Sequence, residues 1–404
     1  MLLGFVHFDR ADQKKYLEVL SRITEGGAID ELGLGRLRDY FSDTMFPGIS
    51  SLHQHAKYFV LMPLIYWDAV AQSFSRPSDV RAWIRREEYK DMERLCEYSP
   101  EGTHGITGSD SKGRGVRHFV KYDPMYIYGT ALYTYGITKT ENIEAAILHV
   151  SKMLKEKAVK VSASGDEQGD SDDREHLLRF CARPSNLEYD KTKECSITLT
   201  PNDAAFIKGH MLSAPKCKGT LLHFILEKEL DLGADDVETF AGFIKKYRSI
   251  LPPELAEQVS RADAFSDLVD GLYYRYNMLY SGYDSAHGKE GDTAMKKSFD
   301  DWYETVFLPR WQDMAESFKD ARINDPDGSK GFCGEAIHLM VDKQWTKLDT
   351  LITQRERKIK VTRSKIGSAD QPYNPKRPIH NYKQEFRWAT VRTLISEIQN
   401  PEKK

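Results

Sequence analysis

Along most of the chain apolar residues recur every three to four positions, the period of an amphipathic helix. A short strand is expected over 1–10, with Asp9 capping a helix that carries Tyr16, Leu17, Leu20 and Ile23 on one face. Leu34, Leu37, Phe41 and Met45 predict a second helix over 30–45. The stretch 52–74 is apolar nearly all round, which predicts a central core helix, kinked or restarted at Pro63. A charged amphipathic helix follows over 78–95. Pro124 opens a helix that Gly136 stops, and 140–160 reads as another. Thr200-Pro201-Asn202-Asp203 is a cap leading into a helix over 202–213. From 216 to 320 nearly every segment is helical in period, most clearly 255–259, 265–280 and 299–318. A long helix over 343–366 and a last one over 381–399 complete the series.

Three stretches depart from that period. Residues 102–115, GTHGITGSDSKGRG, hold five glycines and predict a flexible loop or wide hairpin. Residues 116–122 alternate as a strand does, so helices, a Gly-rich hairpin and a strand succeed one another as in a winged helix. Residues 196–200 predict a further short strand. The acidic run ASGDEQGDSDD (163–173) has no apolar side chain larger than alanine and predicts a flexible linker. The expected fold is mainly α with small β hairpins. A helical, winged-helix-like domain over 1–160 precedes the linker at 161–175. A larger helical domain over 176–404 ends in a basic region.

Composition narrows the class without naming an activity. Of 404 residues 40% are hydrophobic and 29% charged, ordinary for a globular chain. The net charge of -3 excludes a globally basic binder and leaves room for a local basic face. Five widely spaced cysteines without a CxxC exclude a disulfide framework and argue against a cysteine zinc ribbon. The N-terminal apolar run is too short for a signal peptide, and no eighteen apolar residues run together. The expectation is a cytoplasmic protein with no membrane partner.

Catalytic patterns are missing: no HExxH, GxSxG, GxGxxG, Walker A or EF-hand occurs. On a helix His53 and His55 would point about 200° apart and share no metal. Cys217 lies between two lysines without a histidine base beside it. No catalytic residue, metal ligand or cofactor is assigned. The dense aromatic groups at 125–137 and 272–283 read as core.

Charge patterning is more informative near the C-terminus. Between Arg355 and Arg392 stand eleven lysines and arginines, opposed only by Glu356, Asp370 and Glu385. Helical spacing places Arg355, Lys358 and Lys365 near one face. Lysine and arginine bind phosphates, and interleaved aromatics stack on bases. The candidate phosphate contacts are Arg355, Lys358, Arg363, Lys365, Lys376, Arg377 and Arg387. Tyr382 and Trp388 would orient them or stack. Lys112, Arg114 and Arg117 of the expected wing would add backbone contacts. The competing reading is a solvated face, or one docked on acidic protein.

Three blocks carry a family resemblance. The run DELGLGRLRDYFSDTMFPGISSLHQHAKYFVLMPLIY (30–66) resembles the opening block of an uncharacterised prokaryotic family known only as a domain of unknown function. The segment 105–137 is similar to its second block, and 351–366 with the Tyr-x-x-x-Phe-Arg-Trp patch at 382–388 to its third. Ile49 stands where that pattern has threonine, and Gln54 and Lys57 where it has basic residues, mostly arginine. The family offers no catalytic residues to transfer. The resemblance implies a setting near helicase-like and nuclease-like genes in phage defence. The expected function is therefore a non-catalytic nucleic-acid-binding or adaptor subunit of an anti-phage complex, DNA ahead of RNA, working with a helicase or nuclease partner. Two alternatives stay open: a scaffold docking on acidic proteins, and a metal-dependent nuclease whose carboxylates gather only in three dimensions.

Overall fold

The computed structural model describes residues 30–164, 179–184, 195–284, 287–320, 322–380 and 383–402. The expected first strand and first helix, most of the linker and Tyr382 lie outside these residues. The chain is mainly helical. In chain order the helices are α1 (Gly35–Met45), α2 (Tyr58–Val70), α3 (Pro77–Tyr98), α4 (Pro124–Thr134), α5 (Ile143–Ser164), α6 (Pro201–Ser213) and α7 (Leu221–Glu227). Then come α8 (Phe240–Tyr247), α9 (Pro253–Tyr280), α10 (Thr293–Trp302), α11 (Leu308–Ser317), α12 (Ser329–Val341), α13 (Trp345–Lys360) and α14 (Trp388–Gln399). A π-helical turn at Tyr303–Phe307 joins α10 to α11. No described helix is long and apolar enough to cross a membrane.

Two compact units emerge. Unit 1 combines residues 1–41 with 257–384, and unit 2 combines 42–256 with 385–404. This partition follows contacts, whereas the sequence places its boundary by composition at 161–175.

In unit 2, α2 is the centre. Ten of its residues are buried, Tyr58 through Val70, and α3, α4, α5 and α6 pack around it. Pro63 sits inside α2 without ending it. The helix begins six residues later than its apolar run, because 52–57 takes an irregular path described below. Asp123 caps α4 by accepting from Tyr126 N at 3.2 Å, and Thr200 with Asp203 forms a capping box on α6. The helix α14 packs on α6.

The expected hairpin at 102–115 and the expected strands at 116–122 and 196–200 do not form. Among the described residues there is no strand, only two isolated antiparallel bridges, Thr138 to Cys181 and Asp284 to Lys289. Residues 116–118 make a 3-10 turn, and 196–200 run irregularly. The reason is aromatic anchoring. Phe119 meets Tyr89 edge-on at 5.8 Å and lies against Gly108, where an added Cβ would come within 2.3 Å of its ring. Gly108 has φ +83°, so glycine is required there twice over. Arg85 donates to Phe119 O at 2.8 Å, and Gly115 N donates to Tyr89 Oη at 2.8 Å. The Gly-rich segment is thus a loop pinned to α3.

In unit 1, α11, α12 and α13 pack in succession. Arg275 on α9 makes a bidentate pair with Asp349 on α13 at 2.6 and 2.8 Å, inside a cage of Tyr283, Phe299 and Trp345. Loop 370–379 is tied to the end of α9: Asn277 exchanges two hydrogen bonds with Ile379, and Tyr280 donates to Pro372 O.

Candidate nucleic-acid interface

The basic run of α13 divides according to helix register. Leu348, Ile352 and Arg355 follow at i, i+4 and i+7 and face the interior. Arg355 is 6% exposed and fully engaged. Its Nε donates to Leu32 O at 2.8 Å, Nη1 to Asp327 O at 2.6 Å and Nη2 to Ser329 Oγ at 2.9 Å. The guanidinium also lies over the Phe332 ring. Ser329 Oγ in turn donates to Gly33 O. Arg355 is therefore an interior strut that closes the Asp30–Gly33 turn, and the expectation that it meets phosphate is corrected.

Lys365 is corrected in the same way. Glu31 is paired with both Lys360 at 3.2 Å and Lys365 at 2.9 Å. Burial raises the Glu31 carboxyl, but these two cations outweigh it and hold the pKa below the usual carboxylate value. Arg387 donates to Asp43 at 2.5 Å and to Ile49 O at 2.7 Å. Trp388 is fully buried, packed by Phe46, Phe240 and Phe243, with its Nε1 donating to Val237 O. No base can stack on it. Tyr382 lies outside the described residues.

What remains exposed is a smaller set. Arg357, Lys358, Arg363, Lys376 and Arg377 of unit 1 are exposed and make no ion pair among the described residues. Lys112, Arg114 and Arg117 of unit 2 are exposed on the pinned loop. Arg357 is a residue that spacing alone missed. It lies one step beyond the buried pair Arg355 and Glu356, on the outward side of the same turn.

The turn after α13 is held from both ends. Glu356, with no exposed surface, accepts from Tyr276 Oη at 2.6 Å, from Lys365 N at 2.7 Å and from Ile366 N at 3.1 Å. Glu31 grips Lys360 before the turn and Lys365 after it. Between these clamps Val361 has φ +53° and ψ -112° and is 70% exposed. A β-branched residue in that region is a conformational outlier, costing on the order of 1–3 kcal/mol.

In unit 2 the segment 50–58 shows where the other basic residues of the opening block go. His53 and His55 do not lie on a helix, and they point to different partners. His53 Nδ1 accepts from Ser50 N at 3.3 Å, so Nε2 carries the proton and donates to Ile127 O at 3.1 Å. Burial pushes its pKa down to about 4. His55 instead faces two acceptors at 2.7 Å, Glu397 Oε1 and His104 O. Burial lowers its pKa, but Glu397 and the His104 carbonyl raise it further, and the net shift is upward. Glu397 Oε2 also accepts from Ala56 N at 2.7 Å. Gln54 N and His55 N both donate to Tyr128 Oη. Lys57 is buried and paired with buried Asp203 at 2.6 Å. Glu397 and Asp203 were invisible as partners, lying more than 140 residues away.

Other candidate chemistry does not assemble. Among the described residues the cysteines form no disulfide, and burial pushes the Cys217 thiol up to about 11, away from a reactive thiolate. Among the described residues no group of three or more His, Cys, Asp or Glu is placed to hold a metal ion.

Comparison with known sequences finds one family. The profile of a family of unknown function, DUF6361, matches residues 1–176. The first two blocks, 30–66 and 105–137, fall within that match, and the third, at 351–366, falls outside it. No curated protein and no solved structure matches the chain. Residues 1–176 thus carry an uncharacterised domain, and it includes the irregular segment around His53, His55 and Lys57.

Proposed function

We propose that the protein is a non-catalytic nucleic-acid-binding subunit, with duplex or single-stranded DNA ahead of RNA. The observation that carries this reading is the rigid turn at the end of α13. It presents Arg357, Lys358 and Arg363 to solvent without ion pairs among the described residues, while two buried carboxylates hold it in place. Lys376 and Arg377 on the anchored loop 370–379 extend the surface of unit 1. Lys112, Arg114 and Arg117 form a second exposed basic loop in unit 2, supplying backbone contacts. The chemistry would come from a helicase-like or nuclease-like partner, and the setting in phage defence is what the family resemblance brings to the proposal.

The test is fluorescence polarisation of purified protein with labelled DNA and RNA across a salt series. Each phosphate contact contributes about 0.9 to the slope of log affinity against log salt on B-DNA. The triple reversal of Arg357, Lys358 and Arg363 to Glu should lower that slope by about 2 to 3 and weaken binding at least about tenfold. An unchanged affinity in the triple variant would sink the assignment.

A further inference from the structure

Resting on that nucleic-acid reading, we infer that the turn 361–363 enters the minor groove of duplex DNA. Val361 forms the apolar contact with the groove interior, and Arg357, Lys358 and Arg363 meet the flanking phosphates.

Three features of the turn lead there. Val361 is the most exposed large hydrophobic residue among those described, at 70%, against 52% for the next, Ile250. Its backbone sits close to the first central position of a type II′ turn, a place that belongs to glycine. Burial inside unit 1 does not compensate for that strain. Rigidity is the third feature. Glu356 ties the backbone of 365–366 to Tyr276, Glu31 grips the lysines on either side, and Ser364 Oγ donates to Val361 O at 3.0 Å. A strained residue persists only where its surroundings over-determine it, and such places are disproportionately functional.

The shape and charge of the turn select the partner. One aliphatic side chain with cations before and after it suits a narrow apolar cleft between two rows of negative charge. The B-DNA minor groove is about 6 Å wide, and proteins that read it commonly insert single apolar side chains. The major groove, about 12 Å wide, accepts a whole helix rather than a turn. The minor groove of A-form RNA is wide and shallow and would not confine one valine. Single strands are held by aromatic platforms, and the turn has none. On an anionic membrane, one valine offers far less apolar area than a myristoyl chain, which is itself a marginal anchor.

The experiment compares wild type, Val361→Gly and the triple reversal of Arg357, Lys358 and Arg363 to Glu. The probes are a 20-base-pair DNA duplex, its single strand, the matching RNA duplex and phosphatidylserine-containing vesicles. Glycine fits the backbone at 361, so Val361→Gly should melt no lower than wild type. It should lose about tenfold in DNA-duplex affinity, the scale of burying one aliphatic side chain, with single-strand affinity and salt slope unchanged. Duplex binding equal to wild type in Val361→Gly, with binding lost in the triple reversal, would overturn the groove contact and leave the nucleic-acid reading standing. Equal losses on DNA and RNA duplexes would overturn the minor-groove assignment. Vesicle binding that depends on Val361, without duplex binding, would overturn it in favour of lipid. Wild type that binds no nucleic acid at all would overturn both.

Discussion

Residues 53–57 of unit 2 and residues 355–365 of unit 1 are both rich in basic side chains, and they use them differently. In the first, His53, His55 and Lys57 each turn inward to a specific acceptor. In the second, Arg355, Lys360 and Lys365 turn inward while Arg357, Lys358 and Arg363 stay in water. The regular helix sorts cations by register, so neighbours part ways. The irregular segment has no fixed period, and each side chain is aimed separately. A basic run therefore says little about a surface until the interior acceptors are known.

The most severe way to break the comparison is to remove an interior acceptor. Asp203→Ala leaves the Lys57 ammonium buried without its partner and should destabilise unit 2 by about 3–5 kcal/mol in urea unfolding. Replacing both by apolar residues, Lys57→Met with Asp203→Leu, should recover most of that. A double variant as unstable as Asp203→Ala would show that the pair matters beyond charge compensation.

Next comes Arg355→Met, which strips donors from three backbone carbonyls and Ser329 and should cost about 2–4 kcal/mol. DNA affinity measured well below its melting temperature should not change. A loss of affinity as large as that of the triple reversal would return Arg355 to the binding face.

The two histidines sharpen the contrast through pH. His53 has a folded pKa of about 4 against 6.5 unperturbed, so the unfolded state binds more protons between those values. Stability should fall by about 2–3 kcal/mol as pH drops across that window, at about 1.4 kcal/mol per pKa unit. His380, also lowered to about 4 by burial, adds to the same limb in unit 1. His55 works in reverse. Its pKa is raised, so its contribution is complete below about 6.5 and is lost as pH rises through the folded value. Denaturation midpoints from pH 4.5 to 8.5 should decline on both sides, and Glu397→Gln should flatten the alkaline limb alone. An alkaline limb of unaltered slope in that variant would remove His55 from the account.

The smallest effect expected is on the stability of the triple reversal of Arg357, Lys358 and Arg363, within about 0.5 kcal/mol of wild type, because exposed side chains contribute little. A large destabilisation there would mean that these cations hold the fold together.

Helix identity was legible wherever a local signal set it. Pro124 and the run Thr200 to Asp203 mark their helix starts locally, and both helices begin within one residue of those signals. The alternation at 116–122 misled because Phe119 packs on α3 rather than its segment pairing with another strand. The start of α2 misled because Tyr128 Oη and Glu397 take the backbone donors of 54–56. The basic candidates were half legible. Charge counting found the region, but Glu31 and Glu356, which decide which cations stay outside, act through contacts made after folding.

The reach of Glu397 has a consequence for biosynthesis. Its carboxylate satisfies Ala56 N and His55 across more than 340 residues of chain. A ribosome delivers residue 56 long before residue 397. At about 5–20 residues per second the interval is roughly 17–70 s. Throughout it the segment before α2 lacks its acceptor, and this part of unit 2 waits on a helix made more than 340 residues later. Slow translation, or a stop before residue 397, would leave that segment open, a standing target for chaperones and proteases.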